Sequence, residues 1–133
     1  MNFDQLNVWA MLAAAVSAFV VGGLWYSPVL FGKAWERANS FTESPQAGAK
    51  SYASSFLFML VMAVNLAFYL ADPKTTAAFG AIAGFLAGFG WAAMGLAIVA
   101  LFEKRSWKYS LINGGYLTVA LTLMGLILGA WRR

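Results

Sequence analysis

The chain of 133 residues contains neither cysteine nor histidine. Without cysteine there is no disulfide, thiol nucleophile, thiolate metal site or iron–sulfur cluster, and the redox compartment leaves no mark on the composition. The lack of histidine removes the commonest general base and the usual haem and zinc ligand. Charge is scarce as well. Nine Lys and Arg and five Asp and Glu make up 11% of the chain, less than half of the ~25% found in soluble domains. The apolar residues take up the difference, at 62% against roughly 45–50% in soluble proteins. A soluble domain of this size could not cover so much apolar surface with so few charges. Soluble and disordered classes are excluded, and an integral membrane protein is implied. The net charge of +4 comes from cations scattered in short loops. That pattern fits the positive-inside rule and anionic headgroups rather than a nucleic-acid footprint, so no nucleic-acid partner is expected.

Four uncharged stretches run over residues 5–26, 51–71, 77–102 and 109–131. Each reaches the ~20 residues needed to cross a hydrocarbon core, and every charged residue falls outside them. They predict an all-α integral membrane protein: four transmembrane helices in a compact bundle, forming a single domain over residues 1–133. The first stretch lacks a basic segment before it and a small-residue cleavage site after it, so it reads as a span and not as a signal peptide. Ser27-Pro28, Ser44-Pro45 and Asp72-Pro73 each place a capping side chain before proline. They predict helix starts near all three prolines. Leu30, Phe31, Ala34, Trp35 and Ala38 recur at helical spacing opposite Lys33, Glu36 and Arg37, as in a short interfacial helix or a structured loop with aromatic anchors. Lys33, Arg37, Lys50, Lys104, Arg105 and Lys108 share one face of the membrane. Only Lys74, Arg132 and Arg133 share the other, so the termini are expected to face out.

The small residues are patterned. Gly80, Gly84 and Gly88 recur every fourth position in the third stretch, and Trp91 and Gly95 continue that face. The fourth carries Gly114, Thr118, Thr122, Gly125 and Gly129; the first carries Ala10, Ala14, Ala18 and Gly22. Small residues at this spacing let helix backbones approach closely in lipid. Some of these faces are expected to pack inside one copy and one against a partner. Polar groups within the stretches are few. Asn65 lies on the stripe Ser51, Ser55, Phe58, Met62, Asn65, Tyr69, and its amide should face protein or a water-filled cavity. Asn65, Tyr69, Asn113, Thr118 and Thr122 are candidates to line a polar path; interhelical hydrogen bonding is the plainer role for the same groups.

A Leu-Phe-x-Lys pattern ending in Trp occurs after the first stretch, at Leu30–Trp35, and again after the third, at Leu101–Trp107. It can mark a parallel repeat, or simply the aromatics and lysines that headgroups favour. Aromatics are densest at Trp25-Tyr26-Ser27-Pro28, followed by Phe31-Gly32 and Trp35. Here the chain resembles a family of small bacterial membrane proteins, domain of unknown function 1761, with its Trp-Tyr-Ser-Pro…Phe-Gly…Trp signature. Leu101-Phe102-Glu103 and Asn113-Gly114-Gly115-Tyr116 fit the same pattern. The resemblance extends over nearly the whole chain and implies a four-span fold; it brings no activity, substrate or cofactor.

No catalytic or metal-binding set emerges. Asp4, Glu36, Glu43, Asp72 and Glu103 all lie outside the uncharged stretches, and Ser27 has no histidine partner. The chain is expected not to be an enzyme and to need no cofactor. Proton-coupled export would require a carboxylate inside a span, which is lacking. Two functions stay open. One is a homo-oligomeric passive transporter or channel for a small solute in the bacterial inner membrane. The other is a structural or accessory subunit of a larger membrane complex.

Overall fold

The computed structural model describes residues 6–27, 29–38 and 49–131. Its described part is helical: α1 (Val8–Trp25), α2 (Gly32–Ala38), α3 (Ala49–Tyr69), α4 (Ala77–Ala87), a π turn (Gly88–Ala93), α5 (Met94–Phe102) and α6 (Trp107–Ala130). The segment from α4 through α5 forms one continuous span. With α1, α3 and α6 it makes four helices long and apolar enough to cross a membrane, matching the four uncharged stretches to within a turn at each end. The chain is a four-span membrane protein of all-α class.

Side chains near the span ends set the helix boundaries. The Asn7 side chain accepts from the Trp9 and Ala10 amides at the start of α1, satisfying donors that the first turn leaves without partners. Ser106 caps α6 by accepting from the Tyr109 amide. Thr76 caps α4 by accepting from the Phe79 amide, which corrects the start expected near Pro73. Asp72 is engaged in a turn instead: its carboxylate accepts from the Lys74 amide and its carbonyl from the Thr75 amide. Pro28 and Pro45, and any helix start at them, lie outside the described residues. The two Leu-Phe-x-Lys segments differ in conformation. The first leads from a turn into α2, whereas the second ends α5 and turns at Lys104, whose φ is 58°.

α6 is the hub of the bundle. α4 packs along one side of it and α1 along another, and α3 sits mainly on α1. Alanines supply the α1 interface: Ala10, Ala14, Ala15 and Ala18 are all buried. On α3 the buried face is Ala63, Leu66 and Ala67, closing over Met124 and Leu128 of α6. Phe19 meets Tyr52 and Phe56 edge-on, each at 6.1 Å, farther along the α1–α3 seam. The Asn7 side-chain amide donates to the Trp131 carbonyl, tying the start of α1 to the end of α6.

The α4–α6 seam explains the glycine spacing. A Cβ on Gly80 would overlap the Gly125 carbonyl, and a Cβ on Gly125 would overlap that of Gly80. At Gly84 it would strike the Leu121 carbonyl; at Gly88 it would stand 2.7 Å from the Thr118 Cα, and at Gly129 it would meet the Thr76 carbonyl. Backbone lies on backbone here, which permits Cα–H···O contacts between the helices. Gly95, expected on the same face, departs from it: nothing lies within 4 Å of its Cβ position. The π turn supplies the reason. It inserts one residue into the helical repeat and rotates the remainder of the span by about 100°. Ala93 and Ala100 are therefore the buried positions beyond Gly88, while Gly95 is exposed and Trp91 is 83% exposed.

Candidate functional site

The end of α1 and the first turns of α6 run antiparallel, which sets Trp25-Tyr26-Ser27 beside Asn113-Gly114-Gly115-Tyr116. The Trp25 indole Nε1 donates to the Ile112 carbonyl at 2.8 Å. The Tyr26 hydroxyl donates to Asn113 Oδ1, and the Tyr116 hydroxyl donates to the Ala18 carbonyl at 3.0 Å. Ring contacts continue the cluster: Tyr26 meets Tyr116 at 5.6 Å and Trp35 at 5.3 Å, and Trp25 tilts over Phe31 at 4.7 Å. Gly115 leaves room for the indole, since a Cβ there would stand 2.9 Å from Trp25 Cζ2.

Between α1 and α2 the chain folds back on itself. The Phe31 amide donates to the Trp25 carbonyl and the Gly32 amide to the Ser27 carbonyl, while the Ser27 hydroxyl donates to the Leu24 carbonyl. Pro28, the remaining member of this motif, lies outside the described residues. The cluster is a latch that holds α2 against α1 and α6. The indole N–H and both phenol O–H groups donate to protein acceptors, which suits a structural role for the signature. Leu101, Phe102 and Glu103 stand apart from the latch at the exposed end of α5, where Glu103 pairs with Arg105 at 3.6 Å.

The polar candidates do not converge. Asn113 is held by Tyr26. The Thr118 hydroxyl donates to the Gly114 carbonyl and the Thr122 hydroxyl to the Thr118 carbonyl, each one turn back along α6. Asn65 and Tyr69 stay together on another face. They line a groove of about 770 Å³ between α3 and the third span, with Met62 and Leu66 beside them. Ala83, Leu86, Ala87, Trp91 and Ala92 form the opposite wall, and Leu121 of α6 the floor. Tyr69 is 67% exposed. Asn65 is exposed too and donates to the Val61 carbonyl of its own helix at 2.9 Å, so it makes no interhelical bond through that N–H. Its Oδ1 and second N–H remain available to whatever occupies the groove.

Thr118 lines a second groove together with Trp25, Phe89 and Trp107. Among the described residues no three acidic side chains gather to hold a metal ion. Two features escaped sequence reasoning: the pairing of Trp25 with Gly115, and the opening between α3 and the third span. Both depend on the relative placement of helices far apart in the chain. The Asn-Gly-Gly-Tyr run was the available signal for the first, because paired glycines beside an aromatic leave room for a ring.

No curated protein and no solved structure matches this chain. A family model does match, over residues 9–129, a range that takes in both halves of the latch, both grooves and the whole α4–α6 seam. The chain belongs to the family described as Protein of unknown function (DUF1761).

Proposed function

We propose that the protein is a homo-oligomeric passive transporter of the bacterial inner membrane, taking a small uncharged solute through the groove at Asn65 and Tyr69. The observation that carries this reading is the groove itself. Its volume of about 770 Å³ lies within the roughly 300–1,000 Å³ of small-molecule sites. It has the composition of such sites too, an apolar wall with a few placed polar groups. The Asn65 amide, exposed a turn inside the end of α3, is costly against lipid, and a neighbouring copy across the opening would cover it. Asn113, Thr118 and Thr122, the other polar candidates, bond within the chain away from this groove. The reading involves no catalytic step and no cofactor.

The intrachain bonds of those three groups also favour a second reading, an accessory subunit whose groove receives a helix of a larger complex. Liposome flux with a panel of uncharged solutes separates the two, using wild type and Asn65→Leu from the same preparations. Transport predicts a detergent-stable oligomer with flux in the wild type. It also predicts loss of flux in the variant at unchanged melting temperature, because an apolar lining favours dewetting. A wild type without flux that co-purifies with another membrane protein at fixed stoichiometry would establish the accessory role.

A further inference from the structure

The second groove lies on the far side of the third span from Asn65, and none of its lining residues is shared with the first. α4 packs closely along α6, whereas α5, beyond the π turn, makes much sparser contact with it. The opening between them is about 430 Å³, walled by Phe89, Met94 and Ala97 on one side and by Trp107 and Leu111 on the other, with Trp25 beside them. The wall is almost wholly apolar. The lining reaches Trp107, the first residue of α6, next to residues 103–106 that join α5 to α6, and there the chemistry changes. Lys104, Arg105 and Lys108 follow one another closely in the chain, and Glu103, the single carboxylate among them, pairs with Arg105 at 3.6 Å. Lys108 Nζ lies 5.9 Å from the centre of the Trp107 ring, so one cation stands at a lining side chain. The backbone adds an independent observation. Lys104 closes α5 in the left-handed conformation, φ 58°, with the Arg105 amide donating to the Ala100 carbonyl. Glycine is the favoured residue at that helix-ending position and lysine is strained there.

We propose that this groove is a binding site for an anionic phospholipid, one acyl chain lying between α5 and α6 and the phosphate held by Lys104 and Lys108. Basic pockets between spans at a membrane face are suited to anionic headgroups, and Trp107 sits at the depth where indoles favour the interface. The strained lysine is then accounted for by its charge. The site is independent of the groove at Asn65.

The test uses the whole protein, delipidated in mild detergent, with melting temperature and native mass spectrometry as readouts. Phosphatidylglycerol, phosphatidylcholine with the same chains, and glycerol phosphate are titrated in turn. Phosphatidylglycerol is expected to bind roughly tenfold or more tightly than phosphatidylcholine, since each cation near the headgroups adds to the attraction, and glycerol phosphate is expected to have no effect. Lys104→Gly with Lys108→Gln should abolish the preference without lowering the lipid-free melting temperature, because glycine relieves the backbone. Ala97→Phe should block binding by filling the groove with the charges intact. If that variant fails to fold, the lysine pair decides alone. Equal stabilisation by the two lipids would overturn the proposal, as would a full effect of glycerol phosphate, or a preference that survives in the lysine double variant or in folded Ala97→Phe.

Discussion

At Gly32 the chain doubles back so tightly that a Cβ would stand 2.5 Å from the Tyr26 carbonyl oxygen and 2.7 Å from that of Ser27. Neither oxygen can withdraw without breaking the turn that brings α2 onto the end of α1. Gly32→Ala is therefore expected to destabilise the protein by about 1–3 kcal/mol, the usual cost of overpacking a closed site, measured as a lower melting temperature in detergent. Gly23 provides the control on the neighbouring helix, with nothing within 4 Å of its Cβ position. Gly23→Ala should be neutral or slightly stabilising, because alanine favours the helix. Trp25→Phe belongs at this scale too. It keeps most of the ring but removes the donor to the Ile112 carbonyl, a loss of about 1 kcal/mol. Its melting temperature should fall between those of the two glycine variants.

At the scale of helices, the α4–α6 seam makes a sharper prediction. Gly84→Leu should break the fold or the assembly, since a side chain there runs into the Leu121 backbone. Phe85→Leu changes a residue already exposed and should be mild. Gly95→Leu separates this structure from an uninterrupted helix. Beyond the π turn Gly95 faces open space, so leucine should be tolerated, as judged by size and stability in detergent. Were the helix regular, the substitution would be as damaging as that at Gly84.

The same helices show what could be read in advance. The spans were legible because charge is excluded from them, and the alanine face of α1 and the glycine face of α4 because packing in lipid imposes a small-residue period. The π turn was not legible, since its register shift is a compromise between neighbouring helices and leaves no residue of its own in the sequence. For the candidate site, Asn65 and Tyr69 were visible as polar groups on one stripe, and the structure keeps them in one groove. Their separation from Thr118 and Thr122 depends on how α3 sits relative to α6, which no local pattern encodes.

For the molecule as a whole, the orientation expected from the cations of the connecting segments can be tested directly because the chain has no cysteine of its own. If the termini face out, cysteine placed at Lys33, Lys50 or Lys104 should be shielded from an impermeant thiol reagent in intact cells, while cysteine at Lys74 should react. The opposite labelling pattern would invert the topology. The sequence separation of the latch has a further consequence, for synthesis. Trp25 and the Ile112 carbonyl it binds are 87 residues apart, so α1 emerges early and must wait for almost the entire chain before its main partner, α6, is made. The third span and α6, by contrast, are joined by residues 103–106 and can pair as a hairpin as soon as both are inserted. A chain cut between residues 75 and 76 and produced as two pieces should therefore behave unequally. The C-terminal piece should accumulate alone, whereas the N-terminal piece, its alanine face open to lipid, should be cleared by membrane proteases unless the C-terminal piece is supplied with it. Pulse–chase measurement of the two half-lives, alone and together, would reveal that dependence.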